Sequence, residues 1–292
     1  MLALALGALL VACVPLFFKT VWFGCGLASL LFTLWVLLPV VHAVAPAPAR
    51  FCWSERLCNL LFRAVFASCP WLKVDGPDAA EWARIVPEPL LARGAVFMVN
   101  HSSFGDGFLF SALTPQRVIA RARTLMKGSV FKTPIIGSVF SRLGHMPVYF
   151  TREADNAAFS VDKERQAKVT EEMRAHLLGG GIVAFCPEGT INRTDPRALL
   201  PFRRGTFQLI VDLKLPVFGL TMHGNHVFWP NSQQMGGNPA TIYADVFAVE
   251  AWNAQLDAPT IDAAALTELC QQRMQASLDA CVARAGARAK RA

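Results

Sequence analysis

The sequence predicts an α/β domain, a mixed and mainly parallel sheet covered by helices, carried behind an N-terminal helical membrane anchor. Three observations lead there. Short apolar runs closing on polar residues, at 94–100, 182–185 and 217–222, alternate with helical patterns, as the buried strands of an α/β sheet do. The 292 residues are 53% hydrophobic and only 17% charged, against about 25% charged in an ordinary soluble domain, which excludes the disordered and fibrous classes. The excess is also concentrated: residues 1–49 hold one full charge, Lys19, and the remaining 243 carry all the others. The organisation expected is an anchor of one or two hydrophobic helices at 1–49, an amphipathic interfacial helix at 50–75, an α/β domain at 76–255, and a C-terminal helix with a basic tail at 256–292.

Two apolar runs, 1–18 and 21–45, flank Lys19-Thr20. As helices they would reach about 27 and 37 Å, against a hydrocarbon core of about 30 Å. A cleaved signal peptide is disfavoured, because no basic segment precedes the first run and a second apolar run follows it. Pro15 and Pro39 can each break a helix, which leaves a hairpin, a single span and a re-entrant arrangement open. Arg50, Arg56 and Arg63 come next, and the positive-inside rule then puts the domain on the cytoplasmic face of an endoplasmic reticulum or bacterial inner membrane. Residues 51–72 read as an amphipathic helix, with Leu57, Leu60, Leu61, Ala64 and Val65 at helical spacing. Such a helix suits either a lipid surface or the domain's own core. The eight cysteines form no C-x-x-C pair and suit a reducing compartment rather than a disulfide framework or zinc ribbon.

In the domain, the strand at 94–100 delivers Asn100, His101 and Ser102 to its C-terminal edge, where α/β sheets place ligands. A helix is expected at 106–113, a short strand at 118–120, a helix at 134–144 stopped by Gly144, and a strand at 146–150 leading to Arg152. A long polar helix at 154–178 breaks at Gly179-Gly180-Gly181 before the strand at 182–185. A helix at 206–213, strands at 217–222 and 241–249, and a helix at 261–285 complete the pattern.

Two constellations sit at strand ends. His101 and Asp106 are separated by a turn containing Gly105, so the carboxylate can fold back onto one imidazole nitrogen and leave the other as a base. Glu188-Gly189-Thr190 and Arg193 follow the strand at 182–185; glycine lets a ligand approach the backbone, Glu188 can accept from a hydroxyl, and Arg193 can hold a phosphate. Lys127 and Arg152 add basic groups suited to an anionic phosphoryl ligand. His223 and His226 alone do not make a metal site, so none is expected. Walker, dinucleotide and G-x-S-x-G motifs are missing from the sequence. The basic balance, 28 Lys+Arg against 21 Asp+Glu, fits lipid phosphate better than nucleic acid in a membrane-tethered chain.

In order, these segments resemble the glycerolipid acyltransferase superfamily typified by 1-acylglycerol-3-phosphate (lysophosphatidate) acyltransferases. N-H-S-S-F-G-D at 100–106 is similar to the family's H-x4-D block. Lys127, P-x-x-G at 134–137 and P-V-Y-F-T-R at 147–152 are similar to the second block. F-C-P-E-G-T at 185–190 resembles F-P-E-G-T, and L-P-V at 215–217 the last block. Ile191 stands where the family often has a first arginine, while Arg193 keeps the second. The resemblance implies a membrane-bound O-acyltransferase of phospholipid biosynthesis with acyl-CoA as co-substrate and no cofactor or metal. It implies His101 as general base with Asp106 behind it, and Asn100, Lys127, Arg152, Glu188, Gly189, Thr190 and Arg193 on the substrate side. Glycerol-3-phosphate or lysophospholipid acyltransferases, and a non-catalytic membrane lipid-binding protein, are the alternatives.

Overall fold

The computed structural model describes residues 2–47, 49–152 and 159–290, with side chains described from Phe18 onward except at 152, 159 and 160. Helix α1 (Leu2–Val44) runs through both Pro15 and Pro39, so the two apolar runs are one helix, about 65 Å long at 1.5 Å per residue. Phe23, Leu27, Leu30, Leu34 and Leu38 recur every three or four residues and are buried. Packing of that stripe outweighs the roughly 3 kcal/mol that a proline inside a helix costs. The outer face exposes Phe18, Trp22, Phe32, Trp35 and Val40. Among the described residues, Phe18–Val44 is the one helix long and apolar enough to cross a membrane.

Helix α2 (Arg50–Ala67) turns Ser54, Glu55, Cys58, Asn59 and Phe62 into the protein and leaves Trp53 and Leu60 exposed. It ends earlier than its periodicity suggested, because Leu72–Asp75 forms strand β1. The chain continues through α3 (Ala79–Ile85), α4 (Glu88–Leu91), β2 (Ala95–Val99), α5 (Asp106–Leu113), α6 (Gln116–Ile119), β3 (Ala122–Lys127), α7 (Ile136–Leu143) and β4 (Met146–Val148). A small antiparallel pair, β5 (Phe150–Arg152) and β6 (Phe159–Val161), leads into α8 (Lys163–Leu178). Then come β7 (Ile182–Phe185), α9 (Gly205–Leu213), β8 (Val217–His223), α10 (Asn225–Phe228), β9 (Ala240–Ala248), α11 (Glu250–Asn253) and α12 (Ala263–Ala289).

Seven strands form one sheet in the order β1-β9-β8-β2-β7-β3-β4. Strands β8, β2, β7, β3 and β4 are parallel, and β9 reverses direction against β8. The sheet is mixed and mainly parallel, as expected. Fully buried β2 shows why: Ala95, Phe97 and Val99 enter a core under α1, α2, α5 and α7, while Val96 and Met98 enter one under α8, α9 and α12. The period of two feeds both faces. The stripe of α1 belongs to the first core, so the apolar leader is part of the fold.

Two expectations change. Residues 118–120 are not a strand: Pro115 opens the short helix α6, and strand geometry starts at Ala122, where pairing with Ile182 becomes available. The helix expected at 154–178 starts at Lys163, because Asp162 caps it by accepting from the Arg165 N–H at 3.1 Å and β6 precedes it. Residues 153–158 of that expected helix lie outside the described residues.

Candidate active site

Parallel β2 and β7 end side by side and deliver His101 and Glu188 to the same sheet edge. His101 Nδ1 lies 2.9 Å from Asp106 Oδ2. A carboxylate only accepts, so Nδ1 carries the hydrogen and Nε2 holds the lone pair. Among the described residues, none bonds Nε2. The imidazole is 26% exposed while the carboxylate is 1% exposed, so the pair opens to the surface from the histidine side only.

Asp106 begins α5, and its Oδ2 also accepts the backbone N–H groups of Ser102 at 2.8 Å and Ser103 at 2.9 Å. Its Oδ1 accepts from Asn225 Nδ2 at 2.6 Å. The H-x4-D spacing thus makes a closed turn whose backbone donors converge on the aspartate. Glu188 braces the turn from beneath: Oε1 accepts the His101 N–H at 2.8 Å and Oε2 the Leu200 N–H at 2.9 Å. Burial pushes the Glu188 carboxyl above its ordinary range, while those two backbone donors pull it down. From the far side, the Asn192 N–H donates to the His101 carbonyl at 2.6 Å, and Asn231 Nδ2 bridges the carbonyls of Ser102 and Asn192, each at 3.2 Å. Every group around the imidazole is fixed except its outward nitrogen.

A buried carboxylate, an oriented imidazole and an unbonded nitrogen at a sheet edge are the parts of a general base. Residues 81–223, which contain all of them, match the model of the family described as Acyltransferase. That stretch is an acyltransferase-family domain, and its relatives are glycerolipid acyltransferases. Similar curated proteins are the 1-acyl-sn-glycerol-3-phosphate acyltransferases of Cocos nucifera, 26% identical over 55% of this chain and 48% of the relative, and of Limnanthes douglasii, 30% identical over 46% and 43%. The beta form of Homo sapiens is 31% identical over 43% and 40%. The chain spans about half the length of the curated relatives it matches. The crystal structure of the 1-acyl-sn-glycerophosphate (LPA) acyltransferase PlsC from Thermotoga maritima has the same fold, with a TM-score of 0.68 over 91% of this chain and 95% of that one at 13% identity.

Within the acyltransferase domain the expected site residues fall into two groups. Asn100 and Glu188 are buried and engaged inside the fold. Asn100 Nδ2 donates to the Met222 carbonyl and its Oδ1 accepts the Met222 N–H, each at 2.8 Å, which staples β2 to β8. Glu188, expected to meet a substrate hydroxyl, accepts one backbone N–H at each oxygen. Gly189, Thr190 and Arg193 are exposed on the rim, one to five residues beyond Glu188, and Gly189 turns at φ +70°. Lys127 is exposed at the end of β3, two strands from β2 and so about 10 Å away across the sheet. Arg152 ends β5, and its side chain lies outside the described residues. His223 and His226 stand with ring centroids 5.0 Å apart, and no group of three or more metal-binding side chains occurs among the described residues. Sequence reasoning missed Asn192, Asn225 and Asn231, whose roles depend on tertiary placement; only the position of Asn225, two residues past the end of β8, pointed toward the site.

Proposed function

We propose that the protein transfers a fatty acyl group from acyl-CoA to the free hydroxyl of a lysophosphatidate-type acceptor, giving phosphatidate. The observation that carries this reading is the His101 imidazole, held through Nδ1 by Asp106 and open at Nε2. Nε2 takes the acceptor's hydroxyl proton as that oxygen attacks the thioester carbonyl. The tetrahedral intermediate collapses, the carbon–sulfur bond breaks, and the leaving thiolate takes the proton back from Nε2 as CoA thiol. Asp106 stabilises the transient imidazolium, and positioned base catalysis of this kind contributes roughly 10²–10⁴-fold. Arg193 and Arg152 meet the acceptor's phosphate, with Lys127 at the rim; Gly189 and Thr190 line the approach to its glycerol.

A membrane supplies both lipid substrates. The exposed apolar face of α1 fits a bilayer anchor. The α1 end nearer residue 2 leaves the domain beside the site, since Phe23 packs edge-on against Phe228 and Trp229, at 4.9 and 5.8 Å, and the Trp229 carbonyl accepts from Ser103 Oγ at 2.9 Å. That arrangement supports a site edge that faces the lipid. Arg50, Arg56 and Arg63 favour the cytoplasmic face. The deciding experiment gives the purified protein labelled acyl-CoA and a panel of lysophosphatidate, glycerol-3-phosphate and lysophosphatidylcholine, beside His101→Ala. Labelled phosphatidate from the wild type and none from the variant is the expected result. Transfer by a folded His101→Ala protein would overturn the mechanism, and a different preferred acceptor would overturn the substrate.

A further inference from the structure

Three of the four hydrogen bonds that fix Asp106 come from its own turn, and the fourth comes from a residue 119 positions away. We infer that Asn225 is a positioning residue for acyl transfer, locking the rotation of the Asp106 carboxylate so that His101 keeps its base nitrogen outward. This inference rests on the reading of His101 and Asp106 as the catalytic pair.

Asn225 follows Gly224 at the end of β8. Gly224 has φ +91°, and a Cβ there would meet the Thr241 carbonyl oxygen at 2.2 Å, so this sharp turn requires glycine. The turn drives the Asn225 side chain beneath the catalytic loop, where the residue is fully buried. Both amide hydrogens are used there: one goes to Asp106 Oδ1 at 2.6 Å and the other to Ser102 Oγ at 2.8 Å. The amide cannot be reversed, because its oxygen would then face a carboxylate oxygen. Its own Oδ1 is buried without a partner among the described residues. A side chain placed only to satisfy the fold would bond at both ends; this one leaves its acceptor unbonded and commits its donors to Asp106 and to the residue beside His101.

The geometry explains what the bond does. Oδ2 already holds the imidazole and two backbone donors, whereas Oδ1 has Asn225 as its one hydrogen-bond donor among the described residues. With Asn225 removed, the carboxylate is held through Oδ2 alone, its rotation about the Cβ–Cγ bond is less constrained, and the hold on Nδ1 loosens. With a carboxylate in its place, a second negative charge lies within hydrogen-bond distance of Asp106 and favours the protonated imidazole.

The test uses the full-length protein in detergent with acyl-CoA and whichever acceptor the wild type uses. Asn225→Ala is expected to lower kcat about 10- to 100-fold, part of what a positioned base supplies, with acceptor KM within about twofold. Asn225→Asp is expected to move the acid limb of the kcat/KM–pH profile upward by about one unit, a change that a purely structural role would not produce. Asn225→Ser, smaller but still a donor, makes the same kcat comparison if the alanine variant does not fold. Folded variants with kcat within about twofold of wild type and an unmoved acid limb overturn the inference. A wild type inactive toward every acceptor overturns the acyl-transfer reading and this inference with it; an active wild type with an indifferent Asn225 overturns this inference alone.

Discussion

Glu188 holds His101 by the backbone and not by the ring: its Oε1 accepts the His101 N–H at 2.8 Å while Oε2 accepts the Leu200 N–H at 2.9 Å. The carboxylate, 2% exposed, ties the loop after β2 to the loop after β7. Glu188→Gln keeps the shape but sets an NH₂ group against one of the two backbone donors. Leaving such a donor buried and unpaired costs about 1–3 kcal/mol. The expected outcome is a lower thermal midpoint together with a kcat reduced about tenfold or more, and steady-state kinetics beside thermal unfolding check it. A variant with normal kcat would show that the brace does not matter for chemistry.

Arg193 is exposed one residue past Asn192, whose N–H donates to the His101 carbonyl, so its backbone is tethered to the catalytic loop while its guanidinium is available to a ligand. A charged hydrogen bond to phosphate is worth about 1.5–3 kcal/mol, which corresponds to roughly a 10- to 100-fold rise in the KM of a phosphate-bearing acceptor in Arg193→Ala. The KM for acyl-CoA should change far less. Measuring both constants separates the two, and equal changes would remove the acceptor role.

The His101–Asp106 contact was legible because it is local: five residues and one turn bring the imidazole to the carboxylate. Strand ends were legible for the same reason, since 94–100 and 182–185 announce themselves as apolar runs closing on polar residues. What escaped depends on distant partners. Strand β1 is four residues whose pairing is to Ala240 through Tyr243, and nothing in Leu72–Asp75 points there. Asn100 and Glu188 carried a substrate signal by type and place, yet tertiary packing buries them and turns both onto backbone groups. Pro39 looked like a helix break until the buried stripe from Phe23 to Leu38 supplied the compensating contacts.

Two half-buried histidines contribute to how stability responds to acid. Burial, together with the nearby Arg123 charge, pushes His145 down to about 3 and His176 down to about 4. The bonding agrees with neutral rings: the Thr124 N–H donates to His145 Nδ1 at 3.2 Å, and His176 Nε2 donates to the carbonyls of Arg121 and Ile182 at 3.0 and 3.1 Å. The 3.5 Å approach of Glu55 to His145 is therefore not an ion pair, and burial holds the Glu55 carboxyl well above its usual range as well. Unfolded histidine titrates at about 6.5, so the two histidines cost no stability above that pH. As pH falls further, the unfolded chain binds protons that the folded one refuses, and each histidine removes up to about 1.4 kcal/mol per pH unit until its folded value is passed. The raised Glu55 and Glu188 carboxyls act in the opposite sense as pH falls, so the histidine part is read by difference: between about pH 7.5 and about pH 5, His145→Asn and His176→Asn should each remove about 2 kcal/mol of acid-induced loss relative to wild type.

Helix α1 and the loop after β2 meet through aromatic rings. Phe23 is 1% exposed and packs edge-on against Phe228 and Trp229, and Trp229 in turn accepts from Ser103 Oγ, two residues from His101. Ser103 Oγ also accepts the Gly105 N–H at 3.0 Å, so the ring contact reaches the turn that shapes Asp106. Phe23→Ala opens a cavity at this junction and should cost about 3–5 kcal/mol of stability. Leu34→Ala, on the same buried stripe but about 16 Å further along the helix, should cost about 2–5 kcal/mol. The two variants should differ in activity. Phe23→Ala lets Trp229 relax toward the cavity, pulls on the Ser103 bond and lowers kcat well below that of Leu34→Ala when both are assayed below their unfolding transitions. Equal kcat values in two folded variants of similar stability would mean that α1 supports the core without bearing on the candidate site.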